Sequence, residues 1–115
     1  MARGKLPERI YLGPQVLRVV ETEDIDGDAV GEFKSWLALV NIRASIPGDP
    51  ERANAVLHEC LHAAFKQAEL GRMLKDSDGD HEEMLVNTMS NAVIELFRRN
   101  PELLAFVTEA VKSDG

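Results

Sequence analysis

The chain has 115 residues, of which 44% are hydrophobic and 29% are charged, and this length is enough for one domain with a single core. The composition excludes a disordered segment and a coiled coil. The formal net charge of -7 argues against nucleic acid as a partner, because proteins bind phosphate backbones through clustered Lys and Arg. We therefore predict one globular domain over residues 1–115.

The sequence also bears on the compartment. No apolar run approaches the roughly 20 residues that a membrane-spanning helix needs, and the first residues lack the apolar segment of a secretory signal. A single cysteine, Cys60, cannot form a disulfide within the chain, which is consistent with a reducing compartment. We expect a cytoplasmic protein with no membrane partner.

The first third of the chain predicts β-structure. Four segments favour strands because they are rich in β-branched and other apolar residues, namely 10–12, 16–20, 29–34 and 37–43. Gly13-Pro14 favours a bulge between the first two segments, and Asp26-Gly27 favours a turn before the third. We expect an α+β fold that begins with a small, mostly antiparallel sheet of about three strands.

The sequence Asp49-Pro50-Glu51 predicts the start of a long helix, with an N-cap acid, a proline at the first helical position and a second acid in the first turn. This helix should extend to Glu69 or Leu70, and Gly71 should end it. A polar loop follows over residues 71–80. Its acids do not have the spacing of a calcium loop, because glycine is the fourth residue instead of the sixth.

Two further helices are predicted. The second should cover residues 81–99, with its core-facing side formed by Leu85, Val86, Met89, Val93, Leu96 and Phe97. The third should be short and begin at Asn100-Pro101, and its docking residues should be Leu103, Leu104, Val107 and Val111.

The first helix carries the sequence His58-Glu59-Cys60-Leu61-His62, which has the form H-E-x-x-H. Residues four apart on a helix lie one turn above each other, so both imidazoles can bind one metal ion with Glu59 beside them. This arrangement is typical of zinc hydrolases. Cys60 points about 100° away from its neighbours on the helix, and we expect it to be a packed core residue rather than a ligand.

A catalytic zinc needs a third protein ligand, which the second helix should supply. The candidates are His81, Glu82 and Glu83. Glu83 also has the spacing of a capping box with Asp80, Glu82 points closest to the centre of the apolar stripe, and His81 also fits a surface position near a helix start. The residues alone leave all three open.

These motifs resemble the small phage-encoded relatives of the ImmA/IrrE metallopeptidases, a gluzincin-like group with a minimal zincin fold. The resemblance includes H-E-x-x-H, the sequence Glu83-Met84-Leu85-Val86-Asn87, which matches the family pattern Glu-x-x-(Ala or Val)-Asn, and Asn100-Pro101 after it. It implies zinc bound by His58, His62 and Glu83, with Glu82 as the alternative third ligand. It also implies a glycine such as Gly31 in the middle strand of a three-stranded sheet, and a location in the cytoplasm of a bacterial host.

The resemblance implies peptide hydrolysis with a peptide or protein as substrate. Zinc lowers the pKa of a coordinated water toward about 7, and Glu59 would accept the proton as general base. Tyr11 and His81 are candidates for stabilising the oxyanion. Residues 37–43 are the strand that we expect to hold an extended peptide through main-chain hydrogen bonds.

Three alternatives compete with a peptidase. The first is a zinc-binding phage accessory or assembly protein without turnover, in which zinc joins two helices. The second is a di-iron site, because Glu59-Cys60-Leu61-His62 also has the form Glu-x-x-His, but such sites need two of these units on four long helices. The third is a plain helix whose histidines are four apart by coincidence.

Overall fold

The computed structural model describes residues 4–68 and 80–112. Within these ranges the chain is α+β, as predicted, with a sheet followed by helices. The elements in chain order are β1 (Arg9–Leu12), β2 (Gln15–Thr22), β3 (Gly31–Lys34), β4 (Leu39–Arg43), α1 (Asp49–Ala68), α2 (Asp80–Arg99) and α3 (Pro101–Lys112). A single 3₁₀ turn, Ser35–Leu37, joins β3 to β4.

Gly13-Pro14 forms a tight turn instead of the predicted bulge. Leu12 pairs with Gln15, so β1 and β2 form an antiparallel hairpin with two residues at its tip. Gly13 has a positive φ of 55°, which glycine adopts without steric cost and which short hairpin turns require. A Cβ at Gly13 would also meet the side-chain amide of Gln67 on α1, a flexible group that can move aside, so the positive φ is the reason that this turn favours glycine.

The sheet has four strands in the order β1-β2-β4-β3, so the expectation of about three mostly antiparallel strands is corrected to a four-stranded mixed sheet. β2 and β4 are parallel, whereas the other two pairings are antiparallel. After β2 the chain leaves one strand position empty and forms β3 at the edge of the sheet. It then returns as β4, which occupies the position between β2 and β3. Gly31 therefore lies on an edge strand and not in a middle strand.

The crossover between β2 and β3 is held by Arg43 at the end of β4. Its guanidinium donates hydrogen bonds to the backbone carbonyls of Ile25, Gly27 and Ala29 at 3.1, 2.9 and 2.8 Å. It also forms an ion pair with Glu23 at 3.3 Å. One side chain on an inner strand thus fixes the path of the loop that leads into β3.

The core lies between the sheet and α1. Its buried residues come from β2, β4, the following loop and α1, and they are Leu17, Val40, Ile42, Ile46, Ala55 and Ala63. Cys60 packs against this cluster, as predicted. Burial raises the pKa of the Cys60 thiol to about 11, so the sulfur is a neutral packing group at physiological pH.

The first turn of α1 forms at the predicted position and ties the N-terminal segment to the fold. Asp49 accepts a hydrogen bond from the backbone N–H of Gly4 at 2.9 Å and one from Arg52 at 2.8 Å. Arg52 is buried, donates to the carbonyl of Gly4 and forms an ion pair with Glu21 of β2 at 3.1 Å. The predicted end of α1 at residues 69–71 and the loop of residues 71–79 lie outside the described residues.

The side of α2 that is buried agrees only in part with the predicted one, since Val86 is buried and Val93 and Phe97 are half-buried as expected. Val86 and Ser90 are fully buried, whereas Leu85 and Met89 are 40% and 42% exposed. The buried residues belong to a row with i, i+4 spacing that packs on α1, and this row includes a serine that the apolar pattern could not identify. The prediction that Leu85 and Met89 point inward is therefore wrong.

α3 is also less embedded than predicted. Leu104 and Val111 are exposed, while Val107 is half-buried. The side chains of Leu96 and Leu103 lie outside what the structure describes. None of the helices in the described ranges combines the length and apolar character needed to cross a membrane.

Candidate metal centre

His58 and His62 lie one turn apart on α1, on the side that faces α2. Their Nε2 atoms are 3.2 Å apart, and their ring centroids are 4.9 Å apart with the ring planes at 65°. Both side chains are mostly buried between the two helices. The spacing of the motif thus produces the paired imidazoles that the sequence predicts.

α2 supplies a carboxylate to the same point. Glu83 Oε1 lies 2.9 Å from His58 Nε2, and Glu83 Oε2 lies 2.8 Å from His62 Nε2. The potential ligand atoms of the three side chains lie within 4.8 Å of one another. The structure therefore brings together the three residues that the resemblance implies as ligands.

The donor set fits a divalent transition-metal ion, zinc among them. Two imidazole nitrogens and one carboxylate oxygen are typical of catalytic zinc sites, which keep a further position open. The 3.2 Å between the two Nε2 atoms is close to the spacing of roughly 3.3 Å expected for two imidazoles on one tetrahedral zinc ion. Among the described residues, no fourth His, Cys or acidic side chain joins His58, His62 and Glu83, so the arrangement is that of an open site.

Glu82, the alternative third ligand, contacts a different atom. Its Oε2 lies 2.8 Å from His62 Nδ1, the ring nitrogen that points away from His58 and Glu83. His81, the remaining candidate, is exposed in the first turn of α2 and is not part of the cluster. The structure thus gives different positions to His81, Glu82 and Glu83, the three candidates for the third ligand that the sequence could not distinguish.

The rotation of α2 explains this separation. Glu82, Val86 and Ser90 share one row, which packs toward α1. The neighbouring row faces a cavity and contains Glu83, Asn87 and Asn91. Because adjacent helix positions differ by about 100°, Glu82 and Glu83 approach His62 from two sides.

Glu59 lies beside the cluster in a tightly enclosed position. It is only 6% exposed, and it is packed beneath Gly31 of β3. A Cβ at position 31 would lie 3.1 Å from Glu59 Oε2 and 3.1 Å from the backbone oxygen of Asn41, which is closer than ordinary contacts. The absence of a side chain at Gly31 therefore makes room for this carboxyl group.

The surroundings of Glu59 make its carboxyl group a weaker acid than that of an ordinary glutamate. Burial raises its pKa to about 7, against a lowering effect of His62 and with further raising by the charges of Glu83 and Glu32. A carboxyl group with this pKa exchanges protons near neutral pH, which is the property that a general base needs.

A cavity of about 530 Å³ opens over the cluster. Its wall includes His58, Glu59, His62 and Glu83, and beyond them the crossover residues Ala29 and Val30. A hydrogen bond of 2.7 Å from Asn54 Nδ2 to Asn91 Oδ1 connects α1 to α2 along the same wall.

The cavity is also lined by Asn54, Asn87 and Asn91, to which sequence reasoning gave no role, Asn87 being named only as the last residue of the pattern that begins at Glu83. The sequence contained one signal for two of them, because Asn87 and Asn91 follow Glu83 at helical spacings of four and eight residues.

Other predicted functional residues lie elsewhere. Tyr11 is on β1, at the edge of the sheet opposite to β3, and neither Tyr11 nor His81 lines the cavity. Residues 37–43 include β4, which is paired on both sides and has no free edge for a peptide. That prediction is wrong, and the edge strand next to the cavity is β3.

Comparisons of this chain with models of known protein families, with curated proteins and with solved structures find no match.

Proposed function

We propose that this protein is a zinc-dependent metallopeptidase. The observation that carries the proposal is the convergence of His58, His62 and Glu83 on one point, with the buried Glu59 beside them in an open cavity. A site that only joined two helices would not need a buried carboxyl group next to an open cavity. The proposed relationship to phage-encoded ImmA/IrrE metallopeptidases, and the corresponding location in a bacterial host's cytoplasm, rest on the sequence motifs described above.

In this proposal each residue has a separate role. His58, His62 and Glu83 hold the cation, which when bound polarises the attacking water and the scissile carbonyl. Glu59 accepts the proton that water loses as its oxygen bonds to the carbonyl carbon. Glu59 then returns this proton to the amide nitrogen as the C–N bond breaks, so that the leaving group departs as a neutral amine.

The walls of the cavity favour a peptide as substrate. β3 is an edge strand of the sheet, and its first residue, Gly31, lines the cavity. An extended peptide can pair with such an edge through main-chain hydrogen bonds, which recognise the backbone rather than a particular side chain. The amides of Asn87 and Asn91 on the opposite wall offer further donors and acceptors.

Replacement of Glu59 by Gln tests the proposal. The amide has nearly the same shape but cannot accept the proton, so hydrolysis of a quenched fluorescent peptide library should fall by roughly 10²- to 10⁴-fold. Zinc content, measured on the same samples by inductively coupled plasma mass spectrometry, should remain stoichiometric. Glu95→Gln is the matched control, because Glu95 is exposed on α2 and pairs with Arg99 outside the cavity.

Two results would contradict the proposal. Wild-type protein that binds no stoichiometric zinc would remove its basis. Stoichiometric zinc with no hydrolysis of any peptide by the wild type would instead support the alternative of a non-catalytic zinc-binding accessory protein.

A further inference from the structure

His62 is contacted by carboxylates on both of its ring nitrogens. Glu83 Oε2 lies 2.8 Å from Nε2, and Glu82 Oε2 lies 2.8 Å from Nδ1. His58 differs from His62, because within the described residues the ion pair of His58 is made through Nε2 alone. The two imidazoles of the motif are therefore not equivalent.

The position of Glu82 is set by the packing of α2. Its side chain is 26% exposed, compared with 58% for Glu83, and it begins the row that continues with the buried Val86 and Ser90. Glu82 does not line the 530 Å³ cavity but a separate one of about 310 Å³ on the other side of His62. It therefore reaches His62 from outside the larger cavity, beside the second cavity that Phe33, Ser35 and Glu59 also line.

A neutral imidazole has one N–H donor and one acceptor nitrogen, and its environment decides which is which. A carboxylate is only an acceptor, so Glu82 favours the form of His62 with the hydrogen on Nδ1. That form leaves the lone pair of Nε2 directed at the point where His58 and Glu83 converge. Partners of this kind on the second nitrogen commonly increase metal affinity by fixing the ring and its tautomer.

We propose that Glu82 is a positioning residue for the metal centre, which accepts a hydrogen bond from His62 Nδ1–H and so holds Nε2 as a ligand. This inference rests on the proposed zinc site. It assigns the two adjacent acids of α2 to different tasks, since Glu83 binds the cation directly and Glu82 acts through His62.

The experiment compares zinc affinity in four variants, measured by competition with a chromogenic chelator. Glu82→Ala should weaken zinc binding by roughly 10- to 100-fold. Glu82→Gln should lose only a few-fold, because the amide oxygen can still accept the hydrogen bond. Glu83→Ala, which removes a ligand, should have the largest effect, and Glu95→Ala should match the wild type.

A second measurement separates positioning from a general loss of structure. Long-range ¹H–¹⁵N correlation spectra of the metal-free protein report which nitrogen of His62 carries the hydrogen, because bound zinc would itself place it on Nδ1. The wild type and Glu82→Gln should show the hydrogen on Nδ1 alone, whereas Glu82→Ala should show a broadened or mixed signal. The melting temperatures of the metal-free proteins should stay close to one another.

The outcomes distinguish this inference from the proposed function. If zinc affinity and the His62 signal of Glu82→Ala equal those of the wild type, the inference is overturned while the metal site stands. If Glu82→Ala abolishes binding and Glu83→Ala does not, Glu82 is the ligand and the inference is also overturned. If the wild type binds no zinc, both the site and the inference are overturned together.

Discussion

α1 and α2 both contribute to the candidate metal centre, but the fold holds them in different ways. α1 lies between the sheet and α2, so His58, Glu59 and His62 are set in place by a core that surrounds their helix. α2 buries only Val86 and Ser90 completely among its described residues, and its carboxylate Glu83 is more than half exposed. The comparison indicates that the α1 half of the site is positioned by the main core, whereas the α2 half depends on the contact surface between α2 and α1.

The largest expected effect tests that contact surface. Val86→Asp would bury a charge without a partner between α1 and α2, and we expect a loss of about 4 kcal/mol in the free energy of unfolding. Leu85→Asp, on the adjacent exposed position, should cost less than about 1 kcal/mol. Urea denaturation followed by circular dichroism measures both. Equal costs would mean that α2 does not pack through the Val86 row.

The next effect tests burial on the α1 side through the pH dependence of stability in metal-free protein. The pKa of Glu59 is about 7 in the folded chain and 4.5 as its ordinary value, so the folded state holds this proton more tightly. The cost of burying the ionised group is absent below pH 4.5, grows up to about pH 7 and is constant above it. Since one pKa unit corresponds to about 1.4 kcal/mol, the cost reaches about 3 to 4 kcal/mol.

Glu59→Gln removes this titration and isolates it from those of the histidines. The variant should gain stability relative to the wild type as pH rises from 4.5 to about 7, with no further relative gain above that range. Chemical denaturation at a series of pH values measures the difference. A constant difference between the two proteins across this range would show that Glu59 is not enclosed as described.

A smaller effect is expected where the sheet meets α1. In Gly31→Ala the new methyl group would press on Glu59 and on the backbone of Asn41, which should cost about 1 to 2 kcal/mol. It should also lower the proposed peptide hydrolysis by displacing Glu59, with zinc content unchanged. Adding Glu59→Ala to this variant should reduce the stability cost, since one of the two close contacts is then gone. Fully additive costs would contradict the contact.

The smallest effect concerns the side-chain hydrogen bond that connects α1 to α2. Asn54→Ala and Asn91→Ala each remove the hydrogen bond of 2.7 Å that joins α1 to α2, and each should cost less than about 1 kcal/mol because the pair is exposed. The double variant should cost less than the sum of the two, by about 0.5 kcal/mol. Strict additivity in thermal or urea unfolding would mean that the two asparagines do not interact.

Much of the fold was predictable because local rules decide it. Asp49-Pro50 marks the start of α1, and the β-branched segments mark the strands, since capping and side-chain shape act within a few residues. The strand order was not predictable. It depends on β4 entering the gap between β2 and β3, which is a long-range choice that no local pattern records.

The candidate site likewise has one part that local rules predict and another part that they do not. The pairing of His58 with His62 follows from helical spacing alone, and the structure reproduces it. The choice between Glu82 and Glu83 depends on the rotation of α2 about its own axis, which is set by docking on α1. The apolar pattern correctly included Val86 but also pointed to Leu85 and Met89, whereas the buried face includes Ser90, so the predicted rotation was only partly right.

The hydrogen bonds from Arg43 to the crossover affect which substitutions this segment can accept. Arg43 binds the carbonyl oxygens of Ile25, Gly27 and Ala29, which every amino acid possesses. The contour of the cavity wall is therefore largely independent of the side chains displayed on it. We expect substitutions at Ala29 and Val30 to change the chemical character of this part of the cavity wall without rebuilding the scaffold, provided that the arginine is retained.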